Sequence, residues 1–113
     1  LLPYVMAYNC GCSTSLTPAA ERYAKMSTVL SLDSGSSRQS AFGAIRATKQ
    51  LIRKLNIPSC IKNLGIPENE FVAALDEMVD AAMADSCTAT NPRVPTKEEL
   101  KELFMEAYRG REI

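Results

Sequence analysis

Seven consecutive residues hold most of what could do chemistry in this sequence: Cys87, Thr88, Ala89, Thr90, Asn91, Pro92 and Arg93. A thiol attacks or ligates only as thiolate, and thiolates form beside cations or helix N-termini. The neighbours of Cys87 are small and neutral, and the nearest basic residue in sequence is Arg93. That pattern suits a compact, soft wall better than a nucleophile. Asn91 before Pro92 is pushed out of the α region, so the chain turns there. Arg93 then projects from the turn, where its planar fork can hold a carboxylate or a row of helix-end carbonyls. The plain reading of the same residues is a tight connection between two helices.

The rest of the composition narrows the chemistry. The 113 residues contain no histidine, which removes the commonest general base and the commonest metal ligand. Four cysteines are present, Cys10, Cys12, Cys60 and Cys87, with no CxxC pair to suggest zinc. Cys10-Gly11-Cys12 closes on itself poorly, and a helical chain of this size needs no disulfide, so the thiols read as reduced and the compartment as cytoplasmic. Net charge is zero and 46% of residues are hydrophobic, the balance of a globular domain and not of a nucleic-acid coat. No apolar run reaches the roughly 20 residues of a membrane span. No catalytic, cofactor-binding or metal-binding residue is assigned from these residues alone.

The elements that position this block read as helices throughout. Residues 1–8 are apolar on every side, which for a helix means burial all round, with Pro3 tolerated in the first turn. Thr17-Pro18 reads as an N-cap followed by an N1 proline, with Glu21 in the first turn of a helix running to about Leu32. Its inward residues are Ala20, Tyr23, Ala24 and Leu30, and Asp33-Ser34-Gly35-Ser36-Ser37 ends it. A third helix follows over about 38–56, with Phe42, Ile45, Ile52 and Leu55 inward and Ala41 and Thr48 at close approaches.

Between Ser34 and Pro67 there are six basic residues and no acidic one, while the next helix is acidic. Opposite charges on neighbouring helices are the expected account of that pattern, in preference to nucleic acid. Two Ile-Pro pairs bracket residues 57–67, where Leu64-Gly65-Ile66 is expected to anchor a short turn and Cys60 to be a small buried hydrophobe. The fourth helix is predicted over 68–86 with Phe71, Leu75, Met78, Val79 and Ala82 inward. Thr96 and Glu99 form a capping box, and Leu100, Leu103, Phe104, Ala107 and Tyr108 make one stripe before Gly110. The whole is an all-α bundle of about five helices, read as a single helical domain over residues 1–113.

Three blocks have a family likeness. Residues 2–9 (LPYVMAYN), Asn63-Leu64-Gly65-Ile66 and above all Asp85-Ser86-Cys87-Thr88-Ala89-Thr90-Asn91-Pro92-Arg93 resemble the iron-containing (group III) alcohol dehydrogenases. The last block, just before a capped final helix, is the most specific of the three. The resemblance implies a parent enzyme of two domains, an α/β domain for NAD(P) and a helical domain for a divalent metal, iron or zinc. Alcohols and aldehydes or ketones would be interconverted by hydride transfer, with the metal polarising the substrate oxygen.

The likeness covers the C-terminal part of the helical domain, after the family's metal ligands, and the chain starts at Leu1 within an apolar pattern. The expectation is therefore a fragment, inactive alone, whose partners are the N-terminal part of the same enzyme, a small alcohol or aldehyde, and further copies of itself. On the family pattern Cys87 faces the substrate cavity, while Asn91, Pro92 and Arg93 serve as turn, stop and anchor. The competing expectation is a stand-alone helical interaction module without chemistry.

Overall fold

A computed structural model describes residues 1–12, 15–30 and 35–110. They form six α-helices: α1 (Leu2–Cys10), α2 (Pro18–Val29), α3 (Ser37–Lys54), α4 (Glu68–Ala84), α5 (Ser86–Ala89) and α6 (Lys97–Arg109), plus a 3₁₀ turn at Ile61–Leu64. The described residues contain no strand, so the chain is all-α, and five of its helices are longer than two turns. The contacts gather into two units, Leu2–Ile57 and Pro58–Glu112.

In the first unit, α1 ends in a Schellman motif. The Gly11 N–H donates to the Tyr8 carbonyl (3.0 Å) and the Cys12 N–H to the Ala7 carbonyl (3.1 Å), with Gly11 at φ +72°. Cys10-Gly11-Cys12 is thus a helix stop. Its two thiols turn inward, onto a core of Met6, Ala20, Ala41, Ala44 and Ile45, with Ala7, Tyr23 and Phe42 against it. Small residues at 20, 41 and 44 let α2 and α3 approach closely, and the buried Ser27 hydroxyl donates to the Ser40 carbonyl across that contact. Burial of Ile45, 1% exposed, contributes roughly 1.5–3 kcal/mol by area.

Several expectations shift here. Pro3, Tyr4 and Met6 are buried, but Leu2 is 59% exposed, so α1 is not covered on every side. Thr17 has N-cap backbone angles and Pro18 follows at N1, yet the Thr17 hydroxyl does not cap α2. It donates instead to the Asn9 carbonyl at the end of α1, where helix-end carbonyls lack partners. Leu30 is exposed rather than inward, as is Leu55, because α3 stops at Lys54. The stop is a second Schellman motif, with Asn56 at φ 56° and the Ile57 N–H donating to the Ile52 carbonyl (3.1 Å). The start of α3 carries a capping box that the apolar pattern did not announce: Ser36 Oγ accepts the Gln39 N–H at 3.1 Å, and Gln39 Oε1 accepts the Ser36 N–H. Leu32, Asp33 and Ser34 lie outside the described residues.

In the second unit, α4 and α6 run antiparallel over Phe71, Leu75, Val79 and Tyr108, flanked by Ile61, Met78, Met83, Leu100, Phe104 and Met105. Phe71 stacks on Tyr108 with centroids 4.6 Å apart, and the Tyr108 hydroxyl donates to the Ile66 carbonyl at 2.6 Å. Ile61 therefore anchors the 3₁₀ turn, whereas Leu64, Gly65 and Ile66 are exposed and Cys60 only half-buried.

Three acids of α4 find partners on α6. Glu68 pairs with Arg109 (2.9 Å), Asp76 with Lys101 (2.6 Å) and Asp80 with Lys97 (2.9 Å). The physical reason is the shared apolar stripe, which brings α6 alongside α4 in register.

Candidate functional site

The turn between α4 and α6 is built by its own polar side chains. The apolar periodicity of α4 runs toward Ser86, but Asp85 breaks it, taking extended angles (φ −70°, ψ 131°). The same residue then caps α5, its Oδ1 accepting the Cys87 N–H at 2.7 Å. The Thr88 hydroxyl donates to the Ala82 carbonyl (2.5 Å), which also accepts the Asp85 N–H (3.2 Å) at the end of α4. The Thr90 hydroxyl donates to the Cys87 carbonyl at 3.1 Å, closing α5 from the other side. Asn91 Nδ2 donates to the Arg93 carbonyl (2.5 Å), which folds the chain around Pro92.

Arg93 ends the turn on a carboxylate. Its Nη2 lies 3.2 Å from Glu99 Oε2, each side chain about 30% exposed. Glu99 is at the same time the N3 residue of the α6 capping box: its Oε1 accepts the Thr96 N–H (3.1 Å), and Thr96 Oγ1 accepts the Glu99 N–H (3.2 Å). The carboxylate, one of the two kinds of partner open to Arg93 in the sequence, is present. Asp85 as the cap of α5 and Glu99 as the seat of Arg93 were missed. An aspartate followed by Ser-Cys-Thr is a readable cap signal, whereas the Arg93–Glu99 contact depends on how tightly the loop folds back.

Against this frame of committed groups, the Cys87 side chain stands exposed on α5 as a free thiol. The two thiols of the first unit are in the opposite situation. Burial, with the neighbouring Cys12 adding to it, pushes the Cys10 thiol up to about 12, and burial also raises Cys12. Protonated, buried thiols neither ligate nor attack at neutral pH. Among the described residues no three His, Cys, Asp or Glu side chains gather where an ion could sit. No described helix is long and apolar enough to cross a membrane.

An all-helical chain with a capped final helix and a self-braced turn before it has clear relatives. The pattern of the family described as "Fe-containing alcohol dehydrogenase family, C-terminal" matches residues 1–108, and the chain belongs to that family. It is 38% identical over 112 residues to the NADPH-dependent butanol dehydrogenase of Clostridium saccharobutylicum, a match covering 99% of this chain and 27% of that protein. It is 33% identical over 96 residues to the bifunctional aldehyde-alcohol dehydrogenase of Escherichia coli K12, covering 83% of this chain and 11% of the relative. Alcohol dehydrogenase 4 of Schizosaccharomyces pombe is 37% identical over 73 residues, covering 65% and 16%. The chain thus spans about a quarter or less of the length of these relatives.

Iron, which the family's description implies, does not fit the residues present. The sequence has no histidine, the described acids and thiols do not converge, and two of the four thiols are buried with raised pKa. No metal ligand is assigned to this chain.

Proposed function

We propose that this chain is a helical part of an alcohol–aldehyde oxidoreductase that moves a hydride between primary or secondary alcohols and NAD(P), with Cys87 as a wall of the substrate cavity. The family match running through the Cys87–Arg93 turn carries this reading. The relatives' printed activities support the reaction class, and the exposed Cys87 side chain is free to meet a ligand. The remainder of the enzyme is the chain's partner, copies of the whole associate, and residues 1–113 belong to one helical domain.

Hydride transfer leaves no role for a covalent nucleophile, so Cys87 contributes shape. Asp85, Thr88 and Thr90 contribute by holding the backbone of that cysteine in place. No residue of the chain is assigned to the metal or to the nicotinamide, so the isolated chain is expected to be catalytically silent.

The test uses the full-length enzyme and an alcohol series of increasing length. Cys87→Ala should leave kcat within about tenfold, a barrier change of about 1.4 kcal/mol or less. Cys87→Phe should suppress longer and branched alcohols while sparing the shortest. Abolished activity in the alanine variant would make the thiol chemical, and an unaltered profile in both variants would remove Cys87 from the cavity. Steady NAD(P)-linked alcohol oxidation by the isolated chain would overturn the division of labour.

A further inference from the structure

We propose that Glu99 is a positioning residue for substrate recognition, acting through Arg93 on the turn that carries Cys87. The proposal rests on the assignment of Cys87 to the substrate cavity. A capping box needs one carboxylate oxygen, and Oε1 of Glu99 already fills that role by accepting the Thr96 N–H. The second oxygen does something a cap does not require: it holds the guanidinium of Arg93 at 3.2 Å.

From there local hydrogen bonds, joined by the backbone between them, lead back to Cys87. The Arg93 carbonyl accepts from Asn91 Nδ2 (2.5 Å), and the Asn91 N–H donates to the Thr88 carbonyl (3.2 Å). The Thr90 hydroxyl donates to the Cys87 carbonyl. At its other end the turn is tied to α4 by the Thr88 hydroxyl on the Ala82 carbonyl and by the Asp85 cap. One end is fixed by short local bonds of α4 and α5, and the other carries a partly exposed ion pair with α6. The ion pair is an attachment through which a change in α6 can reach the turn that carries the thiol. Charge-assisted bonds are roughly twice as strong as neutral ones, so losing this one loosens the turn on its α6 side.

The experiment compares full-length enzymes carrying Glu99→Gln, Arg93→Lys and Thr96→Ala. Glutamine has a single carbonyl oxygen, so keeping the cap acceptor turns an amide NH2, a donor, toward Arg93 and removes both the charge and the acceptor there. Lysine keeps the charge and loses the fork. Thr96→Ala weakens the cap and leaves both partners of the ion pair in place. Amide hydrogen exchange over residues 87–91 and KM and kcat across the alcohol series are read for each.

Glu99→Gln should speed exchange at 87–91 by about threefold or more and raise KM for longer alcohols by a similar factor, with kcat within about twofold. Arg93→Lys should move both readouts in the same direction. Thr96→Ala should speed exchange only in the first turn of α6. Unchanged exchange at 87–91 in Glu99→Gln, or faster exchange with an unaltered KM profile, overturns the proposal. If Cys87→Phe alters the profile and Glu99→Gln does not, the positioning role alone fails. If Cys87→Phe leaves the profile unaltered, the cavity assignment fails and the positioning role with it.

Discussion

Replacing Gly11 by alanine should be among the most damaging single-methyl additions to this chain. Gly11 sits at φ +72°, where any residue with a Cβ costs about 1–2 kcal/mol. The added carbon would stand 2.1 Å from the Ser15 carbonyl oxygen and 3.1 Å from Thr17 Cγ2. A backbone oxygen has no rotamer with which to escape, so residues 15–17 must retreat by roughly 1 Å or more to ordinary contact. That retreat pulls on Thr17, whose N–H donates to the Cys10 carbonyl at 3.0 Å and whose hydroxyl donates to the Asn9 carbonyl. Each weakened bond costs about 0.5–1.5 kcal/mol, which brings the whole to roughly 2–5 kcal/mol.

Gly65 provides the comparison, since it has φ +82° and nothing within 4 Å of the place a methyl would take. Gly65→Ala should therefore cost only the conformational part, about 1–2 kcal/mol. Urea unfolding gives the size of each loss, and hydrogen exchange locates it, in Leu2–Ile57 for Gly11 and in Pro58–Glu112 for Gly65. Equal losses for the two variants would refute the argument, because the clash with Ser15 is what separates them.

Leu75→Ala, which hollows the contact between α4 and α6, should cost about 2–5 kcal/mol in urea unfolding, more than removing any one of the three surface ion pairs. The Lys101 ammonium holds Asp76 below the ordinary carboxylate range, chiefly by direct hydrogen bond and then by charge. A lowered folded pKa gives stability that is present above the unfolded value and lost as pH falls through the folded one. The Tm difference between wild type and Asp76→Asn should therefore be small at neutral pH and vanish on acidification, and a difference that grew in acid would reverse the sign. Alkylation of the native chain at pH 8, mapped by peptide mass, should mark Cys87 first and leave Cys10 and Cys12 until unfolding, since burial keeps Cys10 protonated far above that pH. Early modification of Cys10 would contradict its burial.

Several local signals in the sequence, where a side chain acts on its own neighbourhood, proved readable. Thr96 and Glu99 form the capping box, Gly110 takes the left-handed angle that ends α6, and the inward stripe of α4 holds Phe71, Leu75 and Val79. Ser36 and Gln39 have the same spacing as Thr96 and Glu99, but the apolar pattern there begins later and hides the helix start they mark.

What failed was of another kind. Leu30 and Leu55 lie in helical patterns, but periodicity gives a direction around a helix and says nothing of whether a neighbour extends that far. The α6 partners of three α4 acids depend on which helix lies alongside, which spacing along the chain does not give. In the turn itself, Asn91 and Pro92 announce the break, whereas the seat of Arg93 on Glu99 emerges only once the loop closes. The proposed placing of Cys87 in a cavity wall has no signature in spacing at all. The family likeness supplied it.

The ion pairs of α4 and α6 have a use that their exposed positions would not suggest. Two antiparallel helices sharing a leucine- and methionine-rich stripe can slip past one another by a turn with little loss of apolar contact. Here the pairs Glu68–Arg109, Asp76–Lys101 and Asp80–Lys97 keep one common offset, and at that offset the turn between the first two is filled by Val72 and Met105. This uncharged gap makes the series aperiodic. Sliding α6 by one turn to bring Lys97 opposite Asp76 sets Lys101 against Val72 and leaves Glu68 facing Met105. Two of the three pairs are lost at once, although each alone adds little to stability. Like an irregular key, the ladder selects one alignment out of several of similar apolar fit, and so fixes where the turn between the helices must stand.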